Sequence, residues 1–203
     1  MSIERRRDWG SSGPLPKDGI VVGSDAELLD LVTRHRREGS DVPPLALTGG
    51  DLWRTLGGSP GLERWKGAEG QRLRVDLGAA LIDGRQHWFC SHLVARRSWL
   101  RGRIWIAANV AHLGSWNIAP RAHPGDGLLD VLDSELAPGQ RLEARRRLPS
   151  GTHVPHPEVR YALTRAEQVE FARPTPIWLD GRRTASARRL SVRLEEEALL
   201  VVV

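Results

Sequence analysis

The chain has little cysteine, methionine, tyrosine or phenylalanine: one, one, one and two residues respectively in a length of 203. A lone Cys90 excludes an intramolecular disulfide, no Cys/His spacing of zinc type accompanies it, and it reads as a core residue. No apolar run approaches the ~20 residues that a membrane-spanning helix needs. The basic residues near the N-terminus have no apolar stretch behind them, which argues against a signal peptide. The expected location is therefore the cytoplasm, with peripheral contact at the inner membrane surface as a variant. Lysine is almost missing as well. Lys17 and Lys66 are the only two, so arginine supplies nearly all of the thirty basic residues and the net charge of +5. Arginine grips phosphate through paired N–H donors, although a GC-rich gene produces the same bias.

What is present describes a globular protein of ordinary hydrophobic (40%) and charged (27%) content, large enough for one good core or two small ones. Residues 1–18, rich in charge, glycine, serine and proline, are expected to form a disordered tail. Gly19–Val22 reads as a short strand. Ala26–Arg37 then reads as a helix with Leu28, Leu29, Leu31 and Val32 on its apolar side. A second apolar run, Pro44–Leu47, leads through Thr48-Gly49-Gly50-Asp51 into a helical segment with Leu52 and Leu56. Two strand–loop–helix units in succession predict a parallel α/β arrangement.

From Leu73 the pattern becomes β-rich, with runs at 73–77, 87–90, 103–108, 159–163, 168–171, 177–179 and 190–194. Asp83-Gly84, Asp126-Gly127 and Asp180-Gly181 are hairpin-grade turn dipeptides. The final run, Ala198–Val203, must pair with a sheet, because exposed it would be an aggregation hazard.

Five segments, taken in order, carry a resemblance. Asn117–Val131 (NIAPRAHPGDGLLDV) resembles the C-terminal signature of the diacylglycerol kinase and bacterial YegS-like lipid kinases. Gly151-Thr152-His153 is similar to the family's Gly-x-His segment, and Trp178-Leu179-Asp180-Gly181 falls where the family carries Asp-Gly-Glu. Upstream, Val21–Leu28 resembles the nucleotide loop, Gly-Gly-Asp-Gly-Thr, and Leu45–Gly57 resembles the second loop. The resemblance implies a small Rossmann-like α/β N-terminal lobe over 19–70 and a β-rich, β-sandwich-like C-terminal lobe over 71–203. It also implies an ancestral reaction, transfer of the ATP γ-phosphoryl to a lipid hydroxyl with Mg2+. By the same resemblance Gly23, Asp25, Thr48, Asp51 and Asp76 would organise nucleotide and metal, and Asp180 would be the general base. Asp126, with the carbonyls of His123 and Leu128, would hold a structural Mg2+.

The phosphate cradle departs from that pattern. Ser24 and Ala26 replace glycines whose bare amides would face phosphate, and Glu27 replaces a threonine. Ser24-Asp25-Ala26-Glu27 is moreover a capping-box sequence, in which the glutamate returns to the N-cap amide. A phosphate charge ~4 Å from Glu27 would be repelled by roughly 1–4 kcal/mol at effective dielectrics of 80 to 20. Leu47, Gly50 and Arg182 also differ from the family residues at their positions. The strand–helix unit that the family carries ahead of the first loop has no counterpart before Gly19, which leaves three readings: a second chain supplies it, it was lost, or the start is placed late.

The expectation is thus a lipid kinase relative with weakened or lost catalysis and a retained lipid- or partner-binding lobe. An active ATP- and Mg2+-dependent lipid kinase is the alternative, and a NAD kinase-like enzyme a more distant one. A lipid or anionic membrane surface is the expected partner, a homo-oligomer a further one, and nucleic acid is not expected. Arg96, Arg97, Trp99, Arg101, Arg103 and Trp105 interleave cations with indoles, which suits either a membrane interface or a strand with its tryptophans in the core. Arg145, Arg146 and Arg147 read as a solvated charge run.

Overall fold

In the strand Gln71–Ile82, Leu73, Val75 and Leu77 are buried while Arg72 and Arg74 stay at the surface, the period-2 pattern of a chain with one face turned inward. A computed structural model describes residues 10–203. The elements run β1 (Gly10–Ser12), β2 (Ile20–Val22), α1 (Asp25–Glu38), β3 (Leu45–Leu47), α2 (Asp51–Thr55), β4 (Gln71–Ile82), β5 (Arg85–Phe89), β6 (His92–Arg96) and β7 (Ile104–Ala108). They continue with β8 (His112–Leu113), β9 (Trp116–Asn117), β10 (Leu129–Ser134), α3 (Pro138–Arg147), β11 (Val159–Thr164), β12 (Ala166–Leu179) and β13 (Arg182–Val202).

The main path of the sheet is β1-β4-β13-β12-β6-β7-β10-β11, antiparallel throughout. Trp105 of β7 and Leu129 and Val131 of the neighbouring β10 share one core with Val192 of β13, three strands away from β7 in that order, and with Phe89 of β5, which pairs β4 off the main path. The sheet therefore folds over on itself, which makes the C-terminal half β-sandwich-like. β6, β7 and β10 are covered on both faces: Leu93 and Ala95 turn into this core, whereas Val94, Ile104, Ile106 and Leu132 join a second one with Ile118 and Ala122. This two-sided burial explains why those strands read as unbroken apolar runs.

The predicted pair of parallel units is present, with β2 and β3 parallel and α1 packing Leu28, Leu31 and Val32 against them. The C-terminal run does find a sheet. Val201 and Val202 pair in parallel with Leu45 and Ala46, and antiparallel with Leu73 and Arg72. The ends of β4 and β13 thus share a core with the α/β elements.

Several expectations need correction. Residues 1–9 of the anticipated tail lie outside the described residues, but Gly10–Ser12 form an edge strand, and Gly13 and Leu15 donate backbone hydrogen bonds to Gly70 and Trp65. The runs at 168–171 and 177–179 belong to one continuous strand, β12, and 190–194 lies within β13. Bulges let these strands bend without breaking. Asp83-Gly84 and Asp180-Gly181 are two-residue hairpin turns with positive φ at both residues (46° and 79°, 46° and 81°), but Asp126-Gly127 precedes β10 in a loop. Arg145–Arg147 end helix α3, where cations complement the macrodipole. Trp105 is fully buried, and Arg103 forks onto Asp133 at 2.7–2.8 Å, so this part of the arginine–tryptophan run serves the core and not a surface.

Candidate functional site

The first two loops meet at the C-terminal ends of β2 and β3. Ser24 caps α1 from an extended backbone, its Oγ accepting the Glu27 N–H at 3.2 Å, and Glu27 Oε2 accepts the Gly23 N–H at 2.7 Å. The self-capping expected from the sequence is present, but the glutamate reaches one residue further back than the N-cap amide. Thr48 gives both its N–H and its hydroxyl to the Val22 carbonyl, at 3.0 and 3.2 Å. Gly49 lies so close beneath the first loop that a Cβ there would stand 2.4 Å from the Gly23 oxygen.

Asp25 spans the gap to the second helix, its carboxylate accepting the N–H groups of Asp51 (2.5 Å) and Leu52 (3.2 Å), amides that α2 itself leaves without partners. The Asp51 carboxylate accepts the Gly114 N–H at 2.8 Å. Asp180, 8% exposed on its hairpin, accepts three consecutive amides, those of Cys90 (2.7 Å), Ser91 (2.8 Å) and His92 (2.9 Å). Ser91 closes the group by donating its hydroxyl to Asp25 at 2.9 Å. Gly23, Asp25, Thr48, Asp51 and Asp180 are therefore brought together. Ser91, which no motif marks, is the residue that ties Asp180 to Asp25.

The electrostatics follow from burial. Asp180 is pushed up to about 7 by burial, with the Asp25 charge adding to it, against the lowering effect of its three amides. Asp51 is raised to about 6 by burial and then by Asp25. Buried Cys90 has its thiol pushed far up, as suits an inert core residue.

The Asp76 side chain shares no hydrogen-bond partner with this group, although Asn109 Nδ2 donates to the carbonyls of both Asp76 and Cys90, at 2.8 and 2.9 Å. The Asp76 carboxylate accepts the N–H groups of Gly127 (2.9 Å) and Glu197 (2.8 Å), beside the Asp126 loop. Asp126 accepts the Leu128 N–H at 3.0 Å, while the His123 carbonyl accepts the N–H groups of Gly125 and Asp126. Burial raises both Asp76 and Asp126, and the charge of Asp76 adds to the rise at Asp126. Carboxylate and carbonyl oxygens are the donors a hard cation takes, so the residues fit one in kind. Among the described residues no three His, Cys, Asp or Glu side chains form a cage, so such an ion would depend on backbone carbonyls.

A nucleotide triphosphate fits less well. Glu27 already engages the Gly23 amide and Asp25 those of Asp51 and Leu52, so phosphate would have to displace carboxylates that are hydrogen-bonded in place. Elsewhere the lobe holds a cavity with a largely apolar lining. This cavity, of about 360 Å³, lies between α3 and the outward faces of β7 and β10, lined by Trp99, Ile106, Leu132, Ala144 and His153 among others. The His153 Nε2 lies 3.1 Å from the Ile118 carbonyl, and its buried Nδ1 has no protein partner. Arg141 secures the roof by donating to the carbonyls of Leu136, Trp99 and Gly102.

Residues 78–203 match the family described as the YegS C-terminal NAD kinase beta sandwich-like domain. A crystal structure of a candidate diacylglycerol kinase from Bacillus anthracis str. Sterne superposes with a TM-score of 0.72 at 14% identity, covering 91% of this chain and 77% of its own. A second, described as a diacylglycerol kinase from the same organism, gives 0.66 at 14% identity, with 91% and 75% covered. At that identity the likeness is one of fold. No curated protein matches the chain. With the YegS C-terminal β-sandwich over more than half of its length, the chain belongs to the YegS-like, diacylglycerol kinase-type lipid kinase family.

Proposed function

We propose that the protein binds a lipid through the cavity under α3, and that the ATP-dependent phosphorylation belonging to its ancestry is weakened or lost. The observation that carries the reading is the apolar cavity of the C-terminal lobe, set against nucleotide-type loops in which Glu27 and Asp25 already engage the Gly23, Asp51 and Leu52 amides. Leu100 and Leu142, 65% and 55% exposed, stand at the cavity lining, and Arg145 lies beside Leu142 in that lining. An anionic membrane surface is the source of lipid this rim suits. No described helix is long and apolar enough to cross a membrane.

Thermal unfolding with and without ligand tests the reading. A lipid at a hundredfold excess over its Kd stabilises by about 2.7 kcal/mol, a rise of roughly 5–10 °C for a chain of this size. Millimolar Mg-ATP is expected to give no rise. Absence of any lipid effect, or a clear ATP effect, would sink the proposal.

One observation favours an active kinase instead: Asp180 titrates near 7, where a general base is most useful. In that reading Asp180→Asn removes lipid-dependent ATP consumption while leaving ATP binding intact. The Asp126 loop would hold a structural Mg2+ in either reading.

A further inference from the structure

A second concavity, of about 390 Å³, is lined by residues from both neighbourhoods. It shares Trp99 and Trp116 with the apolar cavity. Gly114, whose N–H holds Asp51, and Gly181, which follows Asp180, also line it. Its one charged lining residue is Arg96. The guanidinium of Arg96 stands face-on between two indoles, 4.3 Å from the ring centre of Trp99 and 4.8 Å from that of Trp178. Among the described residues no carboxylate pairs with it, and its Nε is buried without an acceptor. The buried Trp178 Nε1 also lacks one.

Arginine and the indole nitrogen can only donate. A partly desolvated guanidinium that lines the concavity with no carboxylate paired to it suits an anionic oxygen there, while the Nε and the indole N–H are themselves enclosed. The indoles hold the guanidinium plane in place, so little side-chain entropy remains to be lost when an anion binds.

We propose that Arg96, held between Trp99 and Trp178, recognises an anionic head group, phosphate or carboxylate, of the lipid whose chain occupies the cavity under α3. The inference rests on the lipid-binding reading and names its ligand class: acidic lipids over neutral ones. Tryptophan also gives the site an optical signal, because a ligand on Arg96 beside Trp99 and Trp178 alters indole fluorescence.

The test compares 1-oleoyl lysophosphatidic acid with 1-monooleoylglycerol, which share chain and glycerol and differ in the phosphate. Both are titrated below their aggregation concentrations and followed by tryptophan fluorescence. The acidic lipid is expected to bind the natural protein at least tenfold more tightly. In Arg96→Gln the preference should fall to about onefold with binding of the neutral lipid unchanged, and in Arg96→Lys it should be partly kept. Equal binding of the two lipids by the natural protein overturns the Arg96 site and leaves the cavity reading standing. That comparison needs no variant to fold. Binding of neither lipid removes the cavity reading, and this inference with it. Inorganic phosphate alone saturating the same fluorescence change at comparable concentration, with the same dependence on Arg96, overturns the lipid assignment in favour of free phosphate.

Discussion

Gly23 gives its amide proton to the Glu27 carboxylate 2.7 Å away, so the loop that resembles a phosphate cradle is closed by its own helix. Removing that acceptor should therefore act on stability first. Glu27→Ala is expected to cost about 1 kcal/mol, as the loss of a capping partner usually does, measured by urea unfolding. Glu27→Thr should in addition make the protein responsive to millimolar Mg-ATP in a thermal melt. A variant as stable as the natural chain, and no more responsive to ATP, would show that the bond closes nothing.

Ser91 is the link between the two buried aspartates, donating its hydroxyl to Asp25 and its amide to Asp180. Ser91→Ala leaves the amide in place but deprives Asp25 of a donor. The expected cost is about 1–3 kcal/mol, the worth of one buried hydrogen bond to a carboxylate. Equilibrium denaturation reads it directly, and a change below about 0.5 kcal/mol, the spread of ordinary surface substitutions, would refute the link.

The raised carboxylate of Asp180 has a signed consequence for pH. Between its ordinary value of 3.8 and about 7 the folded state binds more protons than the unfolded one, so its contribution to stability falls as pH rises through that window and levels off above it. Histidines with lowered values, His92 at about 4 foremost, act in the opposite sense, since acid protonates them only in the unfolded chain. The comparison must therefore be differential. Natural protein should gain stability relative to Asp180→Asn on going from pH 8 to pH 5, with the histidine contribution common to both. A constant difference across that range would contradict the shift.

Gly49 is fixed by the approach of another backbone. A methyl group there would lie 2.4 Å from the Gly23 oxygen, and neither partner is the free end of a side chain. Gly49→Ala should push the two loops apart and destabilise the protein by about 2 kcal/mol or more, a cost of the overpacking kind. Amide hydrogen exchange at Leu52 should quicken alongside, because its bond to Asp25 spans the same gap.

The cavity under α3 can be filled from within. Ala144, half-buried on α3, faces it, and Ala144→Trp should abolish the thermal response to lipid while leaving unliganded stability within about 1 kcal/mol. Retention of the lipid response would move the ligand elsewhere.

The elements themselves were largely legible in the chain. The apolar face of α1, the two short strands before it and after it, the Asp-Gly hairpins at 83–84 and 180–181 and the need of the last six residues for a sheet all follow from local periodicity and turn chemistry. α3 escaped notice because its only buried residue is an arginine, Arg141, so no apolar stripe announces it. The edge strand Gly10–Ser12 escaped because its residues are polar and exposed and are held by backbone pairing alone.

Within the site, sequence determined which acids were available and that Ser24 and Glu27 would cap their helix, since both depend on neighbours three or four residues apart. Tertiary structure alone decided how those acids were divided. Ser91 ties Asp25 to Asp180 and Asp51 gives its own amide to Asp25, while Asp76 is held by amides 51 and 121 residues downstream in the chain. It decided likewise that Trp105 enters the core while Trp99 and Trp178 flank Arg96. Local spacing specifies helices, turns and caps, because those interactions close within a few residues. Which carboxylate meets which amide, and where a cation is left without an anion, depends on strands brought side by side from opposite ends of the chain.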